Sequence, residues 1–240
     1  MIESNEVKEK DDILSKPKPG VRDVAHTLTR AGLSMIPVIG GGLKELFASI
    51  VTPPLVKRRD EWVESIAKEL KELENSVEGF RIENLAGNES FVTVVVQATT
   101  VAIRNHQKEK LEALRNAILN AALSCNIEEN LQLMFLNFID TFTPWHIKIL
   151  KFFQNPREWM QAHDIKVPAI SLGGVNAILE NAFPEISERR DFYTQVIRDL
   201  DTRGLTDAGG VLNVMMTEDG MYSPRIKSLG NQFLEFISHP

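Results

Sequence analysis

The sequence predicts a mainly α protein: a helical bundle followed by a second, smaller domain of short helices and one β-hairpin. Three observations carry this. Apolar residues recur at helical steps through most of residues 43–154. The texture then changes near 141–144, after which turn residues recur at Asn155-Pro156, Pro168, Gly173-Gly174, Pro184, Gly204 and Gly209-Gly210. Finally, Asp219-Gly220 stands between two short runs that contain apolar residues, which is a hairpin signal. With 240 residues, 43% hydrophobic and 25% charged, the chain can bury a sizeable core in one large or two small domains.

Residues 1–20 lack an apolar stretch and end in a Pro/Lys/Gly cluster, so they are expected to be a flexible tail and not a signal peptide. A first short helix is expected over 22–35, with Val24, Leu28 and Ala31 on one face. Pro37 and Gly40-Gly41-Gly42 should interrupt it. Leu43, Leu46, Phe47 and Ile50 resume helical spacing until Thr52-Pro53-Pro54, read as a stop and a fresh start. The 31–55 segment is therefore expected to be a buried helix–turn–helix, too broken and too charged at Lys44 and Glu45 to span a bilayer. From Leu55 to about Glu78 the stripe Trp62, Ile66, Leu70, Leu73 and Val77 predicts a long amphipathic helix, with Gly79 placed to end it.

Residues 91–103 carry β-branched side chains that favour a strand, yet Phe91, Val94, Val95, Ala98, Val101 and Ala102 have helical spacing. That pattern continues through Leu111, Leu114, Ile118 and Ala121, which predicts one long helix or a kinked pair over 89–123. Asn126 and Glu129 suggest a capping box before a helix that is apolar on most faces. Thr143-Pro144 supplies a capping Thr and a proline at the first helical position, with Trp145, Ile149, Leu150 and Phe153 facing inward.

Further helices are expected at about 170–182 and 187–203, the second burying Phe192, Val196, Ile197 and Leu200. The hairpin should pair 211–216 with 221–226, and a closing helix should use Leu229, Phe233, Phe236 and Ile237. Helices in this order, the hairpin, the phrase at Arg203-Gly204-Leu205 and the run SLGNQFLEFI resemble a bacterial winged-helix module over the last hundred residues. The expected organisation is thus a tail at 1–20, a helical bundle at 21–142 and a winged-helix-like domain with a small β-hairpin at 143–240.

Winged helices often bind DNA, so charge should decide. Residues 141–240 hold ten Lys/Arg and twelve Asp/Glu, a net of 10 − 12 = −2, and the whole chain has 27 − 33 = −6. The helix that would enter a groove carries Arg189, Arg190 and Arg198 but also Glu188, Asp191, Asp199 and Asp201. Phosphate neutralisation dominates DNA affinity, so this balance argues against nucleic acid and leaves the three arginines as candidate interaction residues.

No catalytic, cofactor-binding or metal-ligating set stands out. Val38 to Leu46 is glycine-rich before a helix but lacks the Gly-Lys-Ser/Thr ending of a phosphate loop. The histidines His26, His106, His146, His163 and His239 form no metal-ligand spacing. Cys125, the single cysteine, allows no internal disulfide and is expected at a helix junction.

The stretch from Ser34 to Glu74 resembles a recurring N-terminal pattern of uncharacterised bacterial proteins. In that pattern an Ile-Pro-x-x-Gly-Gly turn links two apolar helices, and a long charged helix follows. Related patterns occur in membrane-associated or conflict-system proteins. The expected role is a non-enzymatic, cytoplasmic protein-interaction or regulatory module, with a protein partner or self-association and no cofactor or small-molecule ligand. The alternatives are a membrane-perturbing effector using residues 31–55 and a DNA-binding regulator.

Overall fold

The computed structural model describes residues 41–124, 126–168 and 171–240, with side chains from residue 55 onward. The expected tail, the expected helix at 22–35, His26 and Cys125 lie outside the described residues. The chain divides into two compact units, Met1–Val56 and Lys57–Pro240. The described part of the first unit is the opening of helix α1 (Gly41–Ser76).

That helix departs from expectation. It runs unbroken through Thr52-Pro53-Pro54, where a stop was expected, and Gly41 and Gly42 begin it instead of forming a turn. Proline's fixed φ lies in the helical range, but each interior proline removes a backbone donor and crowds the preceding turn, so the helix is continuous here despite a local cost. No helix among the described residues is long and apolar enough to cross a membrane.

In the second unit the expected stripe is buried: Trp62, Ile66, Leu70 and Leu73 are each less than a tenth exposed. The Trp62 indole N–H donates to Thr99 Oγ1 at 3.1 Å, and Arg115 pairs with Glu69 at 3.1 Å. The opposite face carries solvated pairs such as Lys68–Glu72. Past the helix end, Gly79 has φ of +81°, a left-handed conformation that suits glycine.

A 3₁₀ turn (Ile82–Gly87) leads to α2 (Glu89–Arg104), so the β-branched run is helical. Asn88 caps it by accepting from the Phe91 N–H at 3.0 Å. The run expected over 89–123 as one long helix or a kinked pair forms two helices: it breaks at residues 105–107 and continues as α3 (Lys108–Ala122), packed beside α2. Helix α4 (Glu129–Thr141) starts without the expected Asn126–Glu129 box. Glu128 holds the capping position and makes no side-chain bond there. Helix α5 (Pro144–Gln154) does form the Thr143 cap, and His146 completes its capping box.

Next come α6 (Pro156–Ala162), β1 (Leu172–Gly173), α7 (Val175–Ala182) and α8 (Arg190–Thr202). They are followed by β2 (Met216–Thr217), α9 (Glu218–Tyr222) and α10 (Ser228–Phe236). The local hairpin expected at 211–226 does not form. Asp219 and Gly220 lie inside α9, because Thr217 accepts from the Gly220 N–H and Glu218 and Asp219 sit in the first turn, all helix-start features. The small sheet is instead long-range and antiparallel, with Leu172 opposite Thr217 and Gly173 opposite Met216. A separate bridge joins Thr206 to Ile226.

The core runs through this unit without a gap at 142/143, so the expected domain boundary falls inside it. Phe233 of α10 packs among Phe135, Phe138 and Phe142, with ring centroids 5.4, 6.0 and 5.9 Å away. Two asparagines of α3 hold the end of α10. Asn116 donates to the Ile237 carbonyl at 2.9 Å, and Asn120 donates to those of Phe236 and Ser238 at 2.9 and 2.8 Å. Gly230 is required where α10 crosses the chain, since a Cβ there would strike the Leu205 carbonyl oxygen and Ile226.

Candidate functional site

Five segments of the second unit enclose a groove of about 790 Å³, within the usual range for a binding site. Helix α5 links its two banks. On one side Lys148 of α5 meets Glu109 of α3 at 3.5 Å. On the other, Phe152 of α5 packs edge-on against Trp159 of α6, which in turn meets Phe183 after α7 at 4.7 Å. The floor is apolar: Ala113, Ile147, Phe183 and Leu234 are all buried.

The rim is charged. Glu109 and Glu112 stand on the α3 bank and Glu158 and Glu185 on the other, while Lys148 and Lys151 rise from α5. The Glu109 backbone N–H at the start of α3, together with Lys148, holds the Glu109 carboxyl below the usual carboxylate range. Lys148 also lies 5.2 Å from the Trp145 ring. Within the groove His163 stacks on Trp159 at 3.9 Å and contacts the Trp159 carbonyl oxygen through Nδ1 at 2.7 Å. That contact requires a proton on Nδ1, so the neutral ring has its lone pair on Nε2. Trp159 is thus held by the stacked His163 and the tilted Phe183, and the indole serves as a wall.

A hydroxyl–imidazole–carboxylate chain lies elsewhere. Thr143 Oγ1 is 2.9 Å from His146 Nδ1, and His146 Nε2 is 3.4 Å from Asp199 Oδ2. The arrangement is that of a helix cap and not of a nucleophile. The Thr143 backbone N–H also donates to Nδ1, and the ring is stacked on Phe142 at 4.6 Å. Burial lowers the His146 pKa, opposed by Asp199. Neither Thr143 nor His146 lines the groove. Among the described residues no group of three or more His, Cys, Asp or Glu is placed to hold a metal.

The three arginines singled out from the sequence are not gathered into one patch by their contacts. Arg189 lies over the Phe192 ring at 4.3 Å, Arg190 is bonded to Asn213, and Arg198 is exposed on α8. None lines the groove. Sequence reasoning missed α6 and with it Trp159 and His163. The signal was present in Asn155-Pro156, a capping residue followed by a proline at the first helical position, and Asn155 does accept from the Glu158 N–H.

No family model, curated protein or solved structure matches this chain.

Proposed function

We propose that the protein is a non-enzymatic, cytoplasmic interaction module, and that the groove between α3, α5, α6, α7 and α10 receives a segment of a partner protein. The observation that carries this reading is the groove's make-up: a concave surface between helices over buried apolar side chains, with Glu112, Glu158 and Glu185 exposed at its rim and in no ion pair among the described residues. An apolar centre inside a polar rim is the anatomy of a protein interface. The strand β1 before α7, its partner β2 after α8 and the Thr206–Ile226 bridge support a winged-helix-like reading of the last hundred residues, used here for protein contact. The engagement of Arg189 and Arg190 within the fold adds to the acidic balance against DNA.

Photo-crosslinking tests the reading. A photoreactive phenylalanine analogue replaces exposed Ala162 at the groove in one sample and exposed Val63 on α1 in another. Expressed in the native host, the first should capture one discrete polypeptide that the second does not. Equal capture at both positions, or none at Ala162, would reject the groove as a docking site.

A further inference from the structure

Helix α2 is apolar on two faces, and among the described residues only one of them is covered. Phe91, Val94, Ala98, Val101 and Ala102 are buried in the core. A second stripe runs through Val92, Val96, Thr99 and Ile103, at steps of 4, 3 and 4 that keep it along one side of the helix. Val92 is 43% and Val96 61% exposed, and Ile103 is half-buried. A helix that is apolar all round ordinarily has neighbours all round.

The outer face also lacks charge. Residues 90–103 hold no Lys, Arg, Asp or Glu, in a chain that is 25% charged. Its hydroxyls are already engaged. Thr93 and Thr100 donate to the Glu89 and Val96 carbonyls at 2.9 and 2.8 Å, and Thr99 accepts from Trp62. Beside them Gln97 donates to Asn137 of α4 at 3.0 Å. Covering this face therefore strips little strongly held water. A chain of net charge −6 tends to repel its own copies, and an uncharged face is where two of them can meet.

Charge at the two ends of α2 selects the occupant. Glu89 opens the helix and Arg104 closes it, both exposed. Arg104 holds Asp140 at 3.1 Å with more than half of its side chain still in solvent, so a second carboxylate can share it. A second α2 laid antiparallel, centred between Gln97 and Ala98, sets Val92 opposite Ile103 and Val96 opposite Thr99. The same register brings the Glu89 end of each helix to the Arg104 end of the other and opposes the helix dipoles. A parallel copy would set glutamate beside glutamate and arginine beside arginine.

From this we infer that the outer face of α2 is a homodimer surface, covered by the same face of a second copy in antiparallel register about a two-fold axis. Val92, Val96, Thr99 and Ile103 are not among the groove's lining residues, so the two surfaces are separate.

Sedimentation of the full-length protein from about 1 to 300 µM tests the association, a range that reaches weak interfaces. The native chain should show a monomer–dimer equilibrium. Val96→Glu changes an exposed position, sets like charges into the seam of both copies and should raise the dissociation constant at least about tenfold. Circular dichroism verifies that the fold persists. Disulfide trapping tests the register, in a Cys125→Ser background. Val92→Cys mixed with Ile103→Cys should give a crosslinked dimer under mild oxidation, because antiparallel pairing sets these positions opposite each other. Either variant alone should give little, since each position then lies roughly 16 Å along the axis from its own counterpart.

A native chain that stays monomeric over this range overturns the inference. So does a Val96→Glu variant that dimerises like the native chain, or a cysteine mixture that yields no more crosslinked dimer than either variant alone.

Discussion

The aromatic centre where α4 meets α10 and the segment from Asp201 to Lys227 are held by different means. In the first, Phe135, Phe138, Phe142, Phe233 and Phe236 interlock through rings on regular helices, and many contacts share the stabilisation. In the second, regular structure is sparse and individual polar groups fix the path. Asp201 accepts from the Thr206 hydroxyl, from the Ala208 N–H at 3.2 Å and from the Gly209 N–H at 2.8 Å. Arg225 donates to the Gly220 carbonyl at 2.9 Å, and its own backbone N–H reaches Phe153 at 2.9 Å. The difference teaches that a periodic apolar pattern spreads its energy over many side chains, whereas an irregular segment concentrates conformational control in a few.

The largest effect should come from the aromatic centre. Phe233→Ala removes a fully buried ring and should cost about 3–5 kcal/mol in chemical denaturation. A loss below ~1 kcal/mol would mean that the neighbouring rings collapse into the space and that the two regions differ less than described.

A smaller but more local loss should follow Asp201→Asn. An amide keeps the size of the carboxylate but offers one acceptor oxygen where the carboxylate uses both, so the change should cost about 1–3 kcal/mol. Hydrogen exchange should quicken at Ala208 and Gly209 before it changes in α4. Uniform acceleration across both regions would show that this segment has no separate control.

The smallest effect sharpens the boundary between the regions, where His146 of α5 faces Asp199 of α8. Burial, opposed by Asp199, places its pKa below the ordinary 6.5 in the folded protein. The unfolded chain therefore takes up the proton first, and the neutral ring's contribution to stability is present above about pH 6.5. It is lost as the pH falls from there toward the folded-state value. Thermal unfolding followed from pH 7.5 to 5 should show this slope in the native sequence and a shallower one in His146→Gln. Parallel slopes would remove His146 as the cause.

The same contrast explains what could be read from the sequence. The stripe Trp62–Leu73, the helical choice at 91–103 and the Thr143-Pro144 start were legible because each depends on spacing or on a cap a few residues away. The break at residues 105–107 was legible only as one of two alternatives, and the uninterrupted passage through Pro53-Pro54 was not, since proline ordinarily reads as a helix stop. Asp219-Gly220 misled because Thr217 offers a competing cap, and the true strand partner lies more than forty residues earlier in the chain. The groove was invisible in the same way. Glu112, Glu158 and Glu185 look like ordinary solvated helix charges until five segments converge.

The asparagine clamp on α10 bears on how the chain is made. The bonds from Asn116 and Asn120 join positions 115 to 121 residues apart, so they close only after α10 has been synthesised. Until Phe233 and Phe236 leave the ribosome, the aromatic face of α4 has no cover. Helices α2 to α5 must wait in a partly dressed state, offering phenylalanine rings to chaperones or to one another. Helix α10 is thus the segment that seals the unit, and translation speed between α4 and α10 sets how long the exposed interval lasts.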